Sequence, residues 1–145
     1  MIAFVRGQVT SINSTSTVTD VGGVGLDLQC SPGTLATLRV GTVATVSSRL
    51  IVREDSLTLY GFADDDERDV FDVLQTVSGV GPRLGLAILA VMTPDQIRHA
   101  VATEDLVALT KVPGIGRKGA QRMVLELKDR LGPTLGQFTP AHQPA

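Results

Sequence analysis

The chain has 145 residues, a formal net charge of −2 and 43% hydrophobic residues, which is enough to build a folded core. It carries no apolar run long enough to span a bilayer and no N-terminal segment typical of a secretory signal. Its single cysteine, Cys30, excludes a disulfide framework within one chain, so we expect a cytoplasmic protein without a membrane partner.

A β domain is predicted over residues 1–63. Val and Thr are abundant there, and apolar residues alternate with polar ones in residues 2–6 and 57–60. The segment Val21–Gly25 is a hairpin signal between two strand-like stretches. About five strands in some sixty residues indicate a small β-barrel of the OB-fold type, with a sandwich topology left open by the pattern alone.

A helical domain is predicted over residues 64–132. Asp64 with Glu67 resembles a capping box, and residues 93–96 combine a hydroxyl, a proline and an acid in the order of a helix start. We expect about five helices, arranged as two matching pairs with a connector, the last running from Ala120 to Leu131.

The C-terminal segment, residues 133–145, has three of the seven prolines and little periodicity, which predicts a flexible linker. The fold class is therefore α+β and multidomain, with a small β-barrel followed by an all-α domain.

A short motif occurs twice in the helical region. Val77–Arg83 is followed, 35 residues later, by Val112–Lys118. Each copy has a Gly-x-Gly turn with a hydrophobic middle residue, then a basic residue and a helical stretch. Glycine permits a tight turn and a close ligand approach, and the N–H groups and dipole of the following helix favour a phosphate. Two such sites indicate a grip on a nucleic-acid backbone.

The basic residues are distributed unevenly, which matters more than the slightly acidic total. Five of them lie in or beside the two motifs, although solvated charge scattered over a surface is the plainer alternative. A protein with negative net charge can bind DNA through a local basic face, because affinity depends on the phosphates actually neutralised. The five residues are Arg83, Lys111, Arg117, Lys118 and Arg122.

Cofactor, metal and catalytic signals are weak. Gly114–Gly119 matches the Gly-x-Gly-x-x-Gly dinucleotide fingerprint, but a helical stretch and Pro113 precede it where a strand is needed. The chain has no ATP-binding Gly-x-x-x-x-Gly-Lys-Ser/Thr loop, and His99 and His142 are isolated from the lone cysteine. We therefore expect no cofactor, no metal and no catalytic residues.

Two adjacent acids, Glu54 and Asp55, lie between strand-like segments. A polar hairpin turn explains them through local hydrogen bonding. The functional alternative is that two carboxylates repel DNA phosphates at close range.

Over residues 1 to about 132 the chain resembles the RuvA family of bacterial Holliday-junction-binding proteins. The resemblance depends on several motifs in one order and spacing rather than on any one of them. They are Val21–Gly25, Val52–Asp55, Leu59–Phe62, Gly79–Pro82, Leu109–Gly116 and Glu126–Arg130.

The resemblance implies an OB-fold followed by two helix-hairpin-helix motifs that hold phosphates across the minor groove of each DNA arm. Glu54 and Asp55 would form the family's acidic pin near the junction centre, keeping separating strands apart. The implied DNA-binding residues are Gly79, Val80, Gly81, Arg83, Gly114, Ile115, Gly116, Arg117, Lys118 and Arg122.

The resemblance also implies partners. The family forms homotetramers, as one tetramer or two facing each other on a four-way DNA junction. A third domain normally contacts RuvB, the ATP-driven motor, and the RuvC resolvase is a further implied partner. The chain stops at Ala145 without that domain, so we expect junction binding without motor coupling. It would be non-catalytic by itself, an accessory subunit of an ATP-dependent helicase complex.

Two other functional classes stay open on sequence. Helix-hairpin-helix glycosylases and nucleases place an acid beside the hairpin, whereas the acids after Gly116, Glu126 and Asp129, come late on the final helix. A plain duplex- or protein-binding module is the third class, and a preference for junction over duplex would distinguish it.

Overall fold

The structure is a computed structural model that describes residues 1–133. The chain divides into two compact units, Met1–Arg68 and one that begins at Asp69. The predicted linker lies, apart from Pro133, outside the described residues. No helix within the described part of the chain is long and apolar enough to cross a membrane.

The first unit is a closed five-stranded barrel with strand order β1-β2-β3-β5-β4. Neighbouring strands are antiparallel except β3 and β5, which run parallel. This confirms the predicted small barrel and excludes a sandwich. The strands are β1 Phe4–Ile12, β2 Ser16–Val21, β3 Val24–Cys30, β4 Val43–Arg53 and β5 Ser56–Phe62.

A short helix that the sequence did not predict, α1 (Pro32–Leu35), connects β3 to β4. Ser31 caps it by accepting the Thr34 N–H, and Pro32 supplies a favourable φ at the first helical position. Leu35 places its side chain in the barrel core. Four residues are too few for helical periodicity to be visible in a sequence.

The barrel interior is filled by alternating residues of its strands, as the period-2 pattern requires. Its buried cluster includes the lone thiol, and burial raises the pKa of Cys30 to about 12. Cys30 is therefore a protonated, unreactive core residue at neutral pH. The cluster consists of Val5, Leu28, Cys30, Leu35, Val46 and Leu59.

Helix α2 (Asp65–Leu74) begins with a local hydrogen-bond arrangement close to the predicted capping box. Asp64 Oδ1 accepts the N–H of Glu67 at 2.9 Å, as expected. The Glu67 carboxylate, however, accepts the N–H of Ala63 at 3.1 Å, one residue earlier than a standard box requires. It also accepts the Thr34 hydroxyl at 3.0 Å, which connects α1 to the start of α2.

Up to residue 133 the helical unit continues with four further helices, so α2 to α6 give the five that were expected. Thr93 and Gln96 form a complete capping box, which confirms the predicted helix start there. The last helix begins at Arg117, three residues before the predicted start, because Gly116 is its N-cap. The helices are α3 Pro82–Val91, α4 Pro94–Ala102, α5 Leu106–Thr110 and α6 Arg117–Leu127.

Helix α6 also ends earlier than predicted, and a buried ion pair holds the chain that follows it. Asp95 and Arg98 lie on α4 with 1% and 7% exposure, and their charged atoms are 2.8 Å apart. The Arg98 Nε–H also donates to the Leu131 carbonyl at 2.9 Å. The turn after α6 is thus fixed to α4 through a buried cation.

Replacing Glu67 with Gln should stabilise the protein increasingly as pH rises from about 4.5. Burial raises the pKa of this carboxyl, hydrogen bonds from Ala63 and Thr34 oppose the shift, and Asp64 and Asp66 add to it. A raised folded-state pKa means that the stabilising contribution is complete at low pH and is lost as pH rises through that pKa. Glutamine keeps the acceptor oxygen without the buried charge.

The measurement is the thermal midpoint of variant and wild type between pH 4.5 and 7.5, with Asp27→Asn, an exposed acid on β3, as control. A constant difference across this range would contradict the assignment.

Candidate nucleic-acid interface

The two predicted hairpins have the same backbone conformation. Gly79 and Gly114 have φ of +88° and +98°, in the left-handed region where an L side chain is strained. Gly81 and Gly116 are both extended, with φ of −98° and −93° and ψ of −173° and −174°. The sequence repeat is therefore a structural repeat.

The backbone hydrogen bonds within the hairpins also correspond. In each copy the N–H of the residue after the left-handed glycine donates to the carbonyl three residues earlier. The N–H of the fourth helical residue donates to the carbonyl of the extended glycine. The corresponding pairs are Val80–Val77 (3.0 Å) with Ile115–Val112 (3.1 Å), and Gly85–Gly81 (2.9 Å) with Ala120–Gly116 (2.9 Å).

Helices α3 and α6 therefore follow N-cap glycines, which have no side chain to accept a hydrogen bond from the first turn. Neither Gly81 nor Gly116 provides a side-chain hydrogen bond to the first helical turn. The N–H groups of both first turns, which start at Arg83 in α3 because Pro82 has none and at Arg117 in α6, consequently stay available, and the positive end of each helix dipole adds to them. Such a terminus is suited to an oxyanion such as a phosphate.

Three basic side chains flank these termini and are exposed: Arg83 on α3, and Arg117 and Lys118 on α6. Within residues 1–133 none of the three makes a side-chain hydrogen bond or an ion pair. Their positive charge is thus not neutralised by the folded chain and can contribute to anion binding.

The two hairpins adjoin one another within the helical unit. A shallow cleft of about 120 Å³ is lined by both of them. Leu84 Cδ1 lies 3.4 Å from where a Cβ on Gly114 would stand, and Arg122 Nη1 lies 3.5 Å from the equivalent point on Gly79. The glycines of each motif thus allow close packing of a side chain from the other.

The final segment of the second motif also contacts the first hairpin. Arg122 donates to the Ser78 carbonyl at 3.3 Å, and the Ser78 N–H donates to Glu126 Oε1 at 3.3 Å. Arg130 donates to the Thr76 hydroxyl at 2.8 Å. The structure thus brings Arg122 to the first hairpin, not to the turn of its own motif.

Sequence reasoning missed Glu126 and Arg130 as contributors to this region. Arg122 and Glu126 are four residues apart on α6, and Arg130 follows at the same spacing in the turn after it; these three residues are called the stripe. That spacing was visible in the sequence, but nothing local indicated that the stripe would meet residues about fifty positions earlier. Glu126, considered above as a catalytic acid, is engaged by a backbone N–H.

Glu54 and Asp55 lie in the barrel unit, at the two-residue turn between β4 and β5. Both side chains are exposed, and the last pair of the two strands, Arg53 with Ser56, flanks them directly. The turn therefore presents two carboxylates at the tip of a β-hairpin.

In the part of the chain that the structure describes, no group of three or more His, Cys, Asp or Glu residues could hold a metal ion.

These features define a class: a five-stranded OB-type barrel followed by a tandem helix-hairpin-helix unit. Comparison with protein families agrees with both parts. Residues 1–61 match the family described as RuvA N terminal domain. Residues 71–129 match the family described as SAM-like Helix-hairpin-helix tandem.

Relatives extend this match over almost the whole chain. A protein of Thermobifida fusca named Holliday junction branch migration complex subunit RuvA is 66% identical over 91% of this chain and 65% of its own length. Proteins of the same name from Nocardioides sp. and Streptomyces coelicolor are 58% and 63% identical, over 72% and 68% of their lengths. The chain belongs to the RuvA family, and it spans about two thirds of the length of these relatives.

Two glycines of the second hairpin should respond differently to alanine. Gly114→Ala should destabilise the protein by about 1–2 kcal/mol, because a Cβ is strained at φ of +98°. Gly116→Ala should leave stability nearly unchanged, since its φ is ordinary and no atom lies within 4 Å of the added Cβ.

Denaturant unfolding of both variants checks this difference. Gly116→Ala should still weaken DNA binding, because the methyl group occupies the approach to the helix terminus. Equal stability of the two variants would contradict the backbone argument.

Proposed function

We propose that the chain is a structure-selective DNA-binding subunit that holds a four-way junction through its phosphate backbone. The observation that carries the proposal is the pair of equivalent, adjoining hairpins, each with uncapped helix N–H groups and unneutralised basic side chains. The name of these relatives, which specifies a Holliday junction and branch migration, supports the same substrate.

Each hairpin binds one stretch of phosphate. In the first, N–H groups at the start of α3 donate to a phosphate oxygen, and Arg83 supplies positive charge. In the second, α6 does the same with Arg117 and Lys118. Arg122 adds to the first hairpin, where it keeps further guanidinium donors beyond its contact with Ser78. Backbone contacts of this kind carry little sequence information, so binding depends on DNA shape.

Preference for a junction arises from multiplicity. One helical unit offers a modest grip, and a homotetramer, alone or paired face to face with a second, repeats that grip on each of four arms. Linked binding sites raise the overall affinity greatly when their geometry matches the ligand. Four-fold symmetry of the protein thus matches a four-armed substrate.

The acidic turn acts at the centre of the junction. Glu54 and Asp55 are exposed at a hairpin tip and repel phosphates that approach closely. The repulsion keeps the separating strands apart while the hairpins of the helical unit hold the arms. These two tasks then belong to different domains, for which we propose the boundaries 1–63 and 64–132.

The subunit does no chemistry by itself and needs no cofactor. It holds the junction open for RuvB, the ATP-driven motor, which in this family is contacted by the third domain and not by residues 1–132, and RuvC acts on the same junction. It is an accessory subunit of an ATP-dependent helicase complex in recombination and repair, and it works in the bacterial cytoplasm, where the chromosome lies.

Removing a phosphate-contacting cation should lower the salt dependence of binding. For Arg83→Ala and Lys118→Ala we expect weaker binding and a reduction of about one in the slope of log K against log salt. Lys128→Ala is the matched control, because Lys128 pairs with Glu104 at 3.0 Å and is not among the predicted contacts. A slope unchanged from wild type would remove the residue from the contact set.

Neutralising the acidic turn should separate binding from strand opening. The double variant Glu54→Gln with Asp55→Gln should bind a junction as well as wild type or better, since it removes repulsion. Fluorescence of 2-aminopurine at the branch point should show altered strand separation. Markedly weaker binding would refute the proposed role.

The proposed function is tested by competition at a fixed, stated salt concentration. A labelled immobile junction is challenged with unlabelled junction and with linear duplex of the same arm sequences. Duplex that competes 100-fold worse, about 2.7 kcal/mol, supports the proposal. If duplex and junction compete equally well, the protein binds phosphate backbones in general and has no preference for a junction.

A further inference from the structure

We propose that Glu126 is a positioning residue that holds the first hairpin in its DNA-binding conformation. The inference rests on the proposed function and adds a residue that belongs to neither hairpin. The Glu126 carboxylate accepts a hydrogen bond from the Ser78 N–H at 3.3 Å. Ser78 directly precedes Gly79, the left-handed glycine of the first turn. Glu126 lies on α6, the last helix of the second motif.

The two hairpins differ at the position that Glu126 contacts. Ser78 and Pro113 are equivalent in the repeat, and both lie in turns of the same backbone form. Proline fixes φ and has no N–H, so the second hairpin needs no partner there. Serine leaves φ freer and adds an N–H donor, which lies at an exposed position and donates to the Glu126 carboxylate.

Two neighbours on the same stripe complete the contact. Arg122 donates to the carbonyl of Ser78, so both polar groups of that residue's backbone are held by α6. Arg130 donates to the Thr76 hydroxyl at the base of the turn. The first hairpin is therefore held from outside by the second motif, whereas the second hairpin is preset by its own proline.

Charge repulsion and a positioning role predict different effects on DNA binding when Glu126 is replaced, so the inference can be tested. An acid near a phosphate site weakens binding by repulsion. If Glu126 acted through its charge alone, any substitution that removes the charge would strengthen DNA binding. A positioning role predicts that the substitutions differ. Glutamine keeps the acceptor oxygen, and alanine leaves the Ser78 N–H without it.

The experiment compares Glu126→Gln and Glu126→Ala for binding to duplex and junction, with Asp129→Ala as the control for loss of a nearby exposed acid. We expect Glu126→Gln to bind as tightly as wild type or tighter. Glu126→Ala should bind roughly 3- to 10-fold more weakly than Glu126→Gln, the range for one lost hydrogen bond. The salt slope should stay at the wild-type value, because Glu126 contacts no phosphate.

A rescue variant separates positioning from general destabilisation. Ser78→Pro, which copies the second hairpin, removes the N–H and presets φ, so it should restore binding in the Glu126→Ala background. Amide hydrogen exchange without DNA should be faster at residues 78–80 in Glu126→Ala than in Glu126→Gln, with no change at Gly114 and Ile115. Equal exchange, or equal binding by the alanine and glutamine variants, would overturn the inference.

The proposed function and the inference fail separately. If wild type does not prefer junction over duplex, the junction proposal fails. The exchange and duplex-binding comparisons still decide the role of Glu126.

Discussion

The structure depends on a backbone constraint at Gly79 and Gly114. Each must adopt positive φ so that the chain reverses within a few residues and starts a helix at an extended glycine. A residue with Cβ would resist that turn, and a side chain able to cap the helix would consume the N–H groups that a phosphate needs. The same constraint thus shapes the turn, frees the donors and lets the neighbouring motif pack closely.

Although both hairpins contain a glycine at positive φ, they are not structurally independent of each other. The second hairpin carries its own rigid element in Pro113, and the first receives rigidity from Arg122, Glu126 and Arg130. Stability and ligand geometry are therefore shared across the pair, and the second motif supports the first more than the reverse. Two hairpins joined in this way can bind as one rigid surface. This limits the conformational entropy that the protein loses when it binds a phosphate backbone.

Much of the fold was predictable because its signals are local. The Val21–Gly25 hairpin, the Thr93 capping box and the two Gly-x-Gly turns depend on residues close together in sequence. The start of α6 was misplaced because glycine at an N-cap gives no side-chain signal. The contacts of Ser78 with Glu126 could not be foreseen, since 48 residues separate them and only tertiary packing brings them together.

The buried pair Asp95–Arg98 has a mechanical consequence. Because Arg98 holds the Leu131 carbonyl, a pull on the chain beyond that residue is first resisted by a desolvated ion pair on α4. The stripe that supports the first hairpin lies before this point, at residues 122–130. Load applied downstream is therefore carried into α4 before it reaches the stripe that contacts the first hairpin.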